Sequence, residues 1–346
     1  MRSCRSFCLV LVAVFAAALS SLAAGPLDVL RATSKLPTLD LPRLKQGEIV
    51  SNRGPLGTFS RGLYAESAYF MHAPPPMVGE KLMHWNPMKH RELEVQVLRE
   101  FGWPAPPGVF DSIALSSSRP EDKWLIDRTW QISLKHPGEL HLTANETKQF
   151  RDAVRSLGNA PATPLRESKA NEFWRKILRA RNDAVAAGGL AALPSYPAND
   201  EHISPAAEFH NLMRIAPAIA ARFAPLLSRA PLSGATNPPD ELVPYWEAAL
   251  VRGHTSLHGG FLSARKSASS WQIADCTYYT SDTYFFSVVL YELWPVENGT
   301  LVWQIDFVSA PFRGFIGNVD RIFAGKQMIN DDAQTVKFFR ADAEGH

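Results

Sequence analysis

The chain has 346 residues, 46% of them hydrophobic, with 36 Lys and Arg against 34 Asp and Glu and a formal charge of +2. A charge this close to balance excludes nucleic acid and an anionic membrane surface as main partners, because both select strongly basic proteins. The length supports a full hydrophobic core, as one large domain or two smaller ones.

Residues 1–24 read as a secretory signal peptide. Arg2 and Arg5 flank the start, "FCLVLVAVFAAAL" is the apolar run, and "SSLAAG" supplies the small residues of a cleavage site. The run is short for a membrane span of roughly 20 residues. No later stretch is long and apolar enough for one. The expectation is an exported protein, periplasmic or extracellular, without a transmembrane anchor after cleavage. Cleavage removes Arg2 and Arg5, which brings the two charge counts level. It also removes Cys4 and Cys8, leaving Cys276 without an intramolecular disulfide partner. The core alone must then stabilise the fold.

Residues 25–60 are rich in Pro, Gly and Ser and read as an irregular leader. Strand character runs from about 62 to 72. Pro75 and Pro76 then pre-set a turn and open a helix where no backbone N–H is needed. Val78, Leu82 and Trp85 share one face of that helix. The run "SAYFMHAPPPMVGEKLMHWNP" is therefore a strand-to-helix corner, with His72 closing the strand and His84 off the apolar face. A second helix is expected over 88–100, then three strands in "GVFDSIALS", "WLIDRTWQISL" and "ELHL". "TANE" is a capping box, with Thr143 as N-cap and Glu146 three residues on. From 144 to 253 the pattern reads as helical. One long helix runs from Thr163 to Gly188-Gly189. Another starts at Ser204-Pro205, and Pro217 and Pro225 divide or kink the helical stretch beyond it. "ELVPYWEAALVRG" reads as a last short helix.

"HTSLHGGFLSARK", "SWQIADCTYYT", "TYFFSVVLYELWP" and "TLVWQIDFVS" read as successive antiparallel strands, with Asn298-Gly299 marking a hairpin. In the last strand Leu301, Trp303, Ile305 and Phe307 form an apolar face, and Val302, Gln304, Asp306 and Val308 a mixed one. The strand before it is apolar on both faces, which suits a central position. A final helix runs from about Phe315 to Phe339. Asp331-Asp332 reads as part of its solvated face, and Lys326 falls on its apolar stripe.

The order of elements over 61–143 and 254–342 resembles the helix-grip superfamily of START lipid-transfer domains, polyketide cyclases and pollen-allergen-like proteins. "HAPPPMVGEKLMHW" looks like that superfamily's first strand-to-helix junction. The resemblance implies an α+β fold, in which a curved antiparallel sheet wraps a long C-terminal helix and encloses a cavity. Residues 144–253 would be a large helical insertion or a separate domain. A second resemblance, carried by "PPGVFDSIAL", "GELHLTANETKQFR", "AAEFHNLMRIAPAI", "PYWEAALV", "YYTSDTYFFSVVLYELW" and "FRGFIGNVDR", is to an uncharacterised family of exported bacterial proteins. It implies export and supplies no activity.

No G-x-S-x-G elbow, phosphate loop or HExxH motif is present. "SARK" at 263–266 has S-x-x-K spacing, but in a strand and without the motifs that accompany it. No cofactor and no metal site are expected; His254 and His258 are the best-spaced histidine pair. Tyr278, Tyr284, Phe286, Trp303 and Phe307 read either as core or as the lining of an aromatic cavity. Trp85 would join that lining. Lys326 would be a contact for an acidic headgroup, or a lysine reaching past the sheet edge. The expected function is binding of a hydrophobic small molecule or lipid between sheet and helix, without catalysis. Two alternatives stay open. One is a cyclase- or hydrolase-like enzyme, in which two or more of His72, Asp275, Asp282, Tyr284 and His258 converge. The other is an envelope interaction module that binds through 164–252.

Overall fold

A computed structural model of the chain describes residues 25–134, 139–158, 162–198, 201–234, 237–312 and 317–345. The expected signal peptide lies outside them. The fold is mixed α+β. In chain order the strands are β1 (Ile49–Arg53), β2 (Gly62–Met71), β3 (Val95–Glu100), a small separate pair β4 (Tyr196–Ala198) and β5 (Glu201–Ile203), then β6 (Glu241–Val251), β7 (His254–Lys266), β8 (Trp271–Thr280), β9 (Phe286–Val296) and β10 (Gly299–Ser309). Eight of them form one sheet in the order β1-β2-β10-β9-β8-β7-β6-β3, antiparallel throughout.

The helices are α1 (Pro26–Thr33), α2 (Leu41–Lys45), α3 (Pro75–Met83), α4 (Pro120–Leu134), α5 (Ala144–Val154), α6 (Thr163–Gly188), α7 (Pro205–Ile215), α8 (Pro217–Leu227) and α9 (Gly317–Glu344). Helices α4 to α8 cover one face of the sheet, the bundle face, around a core containing Trp174, Phe223, Phe261, Trp303 and Phe307. Helices α3 and α9 lie on the other, the helix face. There Val78, Met83, Val336 and Phe339 pack on Tyr69, Met71, Leu293 and Val302. Gly79 lets α3 approach closely, since a Cβ there would sit 2.0 Å from the Trp271 ring. Among the described residues no helix is long and apolar enough to cross a membrane. Cys276 is buried and unpaired.

Several expectations hold. Thr143 and Glu146 form the capping box, at 3.1 and 2.7 Å. β10 splits into the apolar and mixed faces its alternation implies. Central β9 is closed on the bundle face, but Ser287, Val289 and Tyr291 on its other face stay partly exposed, where the sequence predicts cover on both sides. Others are corrected. The leader is not irregular: its prolines open helices α1 and α2, and β1 pairs with β2 at the sheet edge. Residues 88–100 are two short 3-10 turns and β3. Glu94 in the left-handed region (φ 59°) stops any helix. "WLIDRTWQISL" lies in α4, opened by Pro120 with Glu121 and Asp122 in its first turn. "GVFDSIALS" is a loop, with Ile113 and Leu115 held by the side chains of Arg175 and Asn171. Among the described residues "ELHL" pairs with no strand. Pro225 sits inside α8 without breaking it. "ELVPYWEAALV" is β6, turned into β7 by Arg252 and Gly253, both left-handed (φ 54° and 80°), as a tight hairpin requires. The helical region therefore begins at α4 and ends at α8, and the chain between β3 and β6 is one excursion out of the sheet.

Candidate functional site

The site grows out of strand alternation. On β7, Ser256 and His258 are two apart and share the helix face, while Leu257 faces the bundle; His254 opens the strand at the sheet end, against Trp124 of α4. Further along that face, register aligns Leu262, Asp275, Val289 and Asp306 across β7, β8, β9 and β10. Gly260, Thr277, Ser287 and Val308 form the next row. In β9 and β10 the bundle-face residues are closed. Ser287, Val289, Tyr291, Asp306 and Val308 on the helix face keep solvent-accessible surface. Asp275, Asp306 and Tyr291 nevertheless lie deep enough for desolvation to dominate their ionisation. Depth with access is what lines a hollow, not a core.

At the inner end of this hollow the polar groups converge. Tyr245 donates its hydroxyl to Asp275 Oδ1 at 2.8 Å and lies 3.3 Å from Thr277 Oγ1. Burial pushes the Asp275 carboxyl up to about 7; the Tyr245 hydrogen bond opposes this and the charge of Glu247 adds to it. His258 Nδ1 is 2.8 Å from Glu247 Oε1. His258 is 2% exposed, and its Nε2 is buried without a partner. The Tyr284 ring stands edge-on to it at 5.5 Å. Opposite Gly259-Gly260 a β-bulge in β8, with Tyr278 as the extra residue, shifts the register, and a Cβ on Gly260 would come 2.3 Å from the Tyr245 ring. Nearby, Asp306 faces Asp332 of α9. Burial pushes Asp306 to about 6, and burial and Asp306 together push Asp332 to about 10. At neutral pH the pair therefore keeps one proton, and Asp332 Oδ2 is buried without a hydrogen-bond partner. Asp332 is thus buried (7% exposed), not part of a solvated face.

At the sheet end a cavity of about 660 Å3 is lined by Trp124, Arg128, His141, Arg252, His254, Asp282, Thr283, Phe285, Phe312 and Asp320, among others. His254 Nε2 is 2.6 Å from Asp282 Oδ2, and the Trp124 ring stacks on the imidazole at 3.8 Å. Burial alone would raise the Asp282 carboxyl. Hydrogen bonds from His254 and Ser281 outweigh it and hold the carboxyl below its usual value. In the neutral ring with Nε2–H donating to this carboxylate, Nδ1 is left as the acceptor. Thr283 is β-branched yet left-handed (φ 73°), and its Oγ1 is buried without a partner. Such strain concentrates at sites of function. Burial depresses His141 to about 4, so it is neutral at pH 7.

The expected ligand residues do not line one cavity. Tyr278, Phe286, Trp303 and Phe307 are closed on the bundle face, against Phe261, Phe209, Phe223 and Tyr64. Trp85 donates to Asp342 at 2.8 Å at the far end of α9. Lys326 is exposed on α9. Only Tyr284 joins the polar group. Of the alternative catalytic set, Asp275, Tyr284 and His258 converge there, and Asp282 lies in the cavity at the sheet end. His72 is remote, bonded to the Lys45 carbonyl. Tyr245, Glu247 and Trp124 escape a reading of the sequence because their segments show the wrong period; Thr283 carries no signal.

Two further features are set apart. Glu80, His84 and Glu241 bring ligand-type atoms together, but Lys266 Nζ lies 3.4 and 3.2 Å from the two glutamates and supplies the cation. A groove of about 590 Å3 between α5 and α6 is lined by Phe150, Val154, Phe173 and Ile177. Comparison with protein families, curated proteins and solved structures found no match to this chain.

Proposed function

We propose that this is an exported ligand-binding protein of helix-grip type, which takes a small amphipathic molecule between the sheet and α9. The hollow carries the reading: central strands roofed by helices on both faces stay solvent-accessible on one of them. The succession of β2, α3, further antiparallel strands and α9 on the same face as α3 supports the helix-grip assignment. The 660 Å3 cavity, within the roughly 300–1,000 Å3 usual for small ligands, is the way in. Val289 and Leu262 suit an apolar body; Asp275, Tyr245 and His258 suit a polar tip. The test is solvent extraction and mass spectrometry of natively purified protein, beside a Val289→Phe variant that fills the hollow. A stoichiometric small molecule in the wild type, lost in the variant, is expected. A folded wild type that carries nothing, and binds neither an alkanol nor an aromatic dye, sinks the reading.

A second reading is acid–base catalysis in the same space, of cyclase or hydrolase type. It is favoured by the His254–Asp282 pair, which leaves Nδ1 as a base, and by the buried free Nε2 of His258. The extracted molecule should change mass on incubation with wild type and stay unchanged with His254→Ala.

A further inference from the structure

We propose that Arg53 and Arg321 form a site for the anionic group of the ligand, a carboxylate or a phosphate, at the β1 edge of the hollow. This rests on the hollow being the ligand's place. The row that crosses the hollow through Asp275, Val289 and Asp306 continues through Ala65 of β2 to Arg53 of β1. Arg53 is thus on the same face. Its stem lies against α9 at Gly325, where a Cβ would come within 2.2 Å of Arg53 Cδ. One turn earlier on α9 is Arg321, which is 4% exposed.

A guanidinium this buried normally has a carboxylate. Arg181 has Glu146 at 2.6 Å, and the half-buried Arg222 and Arg61 have Glu292 and Glu208 at 2.5 and 2.8 Å. Arg321 has none among the described residues. Its Nη2 donates to the carbonyls of Gly57, Phe59 and Gly62 at 3.3, 3.1 and 2.6 Å, which fixes its position. Its Nε is buried without a partner. Among the described residues the Arg53 side chain makes one hydrogen bond, a long one of 3.4 Å to the neighbouring Gly54 carbonyl. Burial first, and then the Arg53 charge, depress the Arg321 guanidinium, so the two cations feel each other. Two such neighbours without an acid are costly to keep, and a bound anion removes the cost. Asp306 and Asp332, the buried carboxyls of this face near α9, make no ion pair with either arginine among the described residues, and their raised pKa values keep one of them protonated. The charged contact expected of Lys326 on the last helix is therefore supplied by Arg321, from the inner side.

Isothermal titration of the full chain with decanoate, decanol and inorganic phosphate tests this. Decanoate should bind about tenfold more tightly than decanol, the worth of one good charge-assisted contact. Arg53→Gln should bring decanoate down to decanol and leave decanol unmoved. Phosphate that binds alone and is lost in Arg53→Gln supports a free anion as the source; phosphate silent while decanoate behaves as above supports a lipid headgroup. Arg321→Gln should act like Arg53→Gln, but also loosens the 57–62 loop, so Arg53 carries the test. Equal binding of decanoate and decanol, or equal loss of both in Arg53→Gln, overturns the anion site. Decanol binding then shows separately whether the hollow still takes a ligand.

Discussion

The two faces of the sheet bury charge in opposite ways. On the bundle face the deep carboxylates meet their counterparts. Glu292 has Arg222 and Ser270, Glu208 has Arg61 and Ser309, and Glu146 has Arg181. Asp122 has Arg119 and Thr255, and Glu66 accepts from the Lys35 backbone and Trp303. On the helix face, among the described residues, Asp275, Asp306 and Asp332 have no cation within ion-pair distance, and Arg321 has no carboxylate. The first arrangement serves folding, because each of these carboxyls has hydrogen-bond partners and all but Glu66 have a cation as well. The second leaves charges unmatched beside accessible space, the kind of setting in which pKa values are perturbed.

The sharpest way to break this contrast is to unpair a bundle-face charge. Glu292→Ala strands Arg222 and Ser270 and should cost about 3–5 kcal/mol in urea unfolding. A loss below about 1 kcal/mol would make the two faces alike. The opposite sign is expected on the helix face. Asp332 has a folded pKa above its unfolded value. Its contribution is therefore full below about pH 4 and is lost as pH rises toward the folded value. Asp332→Asn keeps a hydrogen-bond donor for Asp306 without a charge to bury. It should stabilise by about 1–3 kcal/mol at pH 7 and by little at pH 4. Equal effects at both pH values would remove the retained proton. The smallest effect is at the cavity: Thr283→Gly removes the left-handed strain and the orphaned hydroxyl, and should raise stability by about 1 kcal/mol in urea unfolding.

Period is legible where packing is one-sided. β10 shows its two faces in sequence because the bundle demands large apolar groups at every second position and the hollow does not. The α5 cap and the ends of α6 are equally local signals. β6 and α4 mislead for related reasons. "ELVPYWEAALV" mixes helix formers with few β-branched residues, and its strand identity comes from pairing with β3 and β7. "WLIDRTWQISL" is rich in strand formers, and its helicity comes from packing on β7. The site is half legible. The acids and histidines of the strands are visible as candidates. Their convergence is not, since it depends on register and on a bulge opposite Gly259-Gly260. The aromatic cluster misleads because a stacked bundle and a ligand cavity demand the same residues.

The pairing of β2 has a consequence for how the chain is made. All ten of its residues are buried, and its inner neighbour is β10, with Met71 opposite Thr300. During synthesis an apolar strand emerges early and waits for its partner until nearly the whole chain is present. Only β1 can shield one edge meanwhile. A chain held open in this way is exposed to aggregation until its last strand arrives.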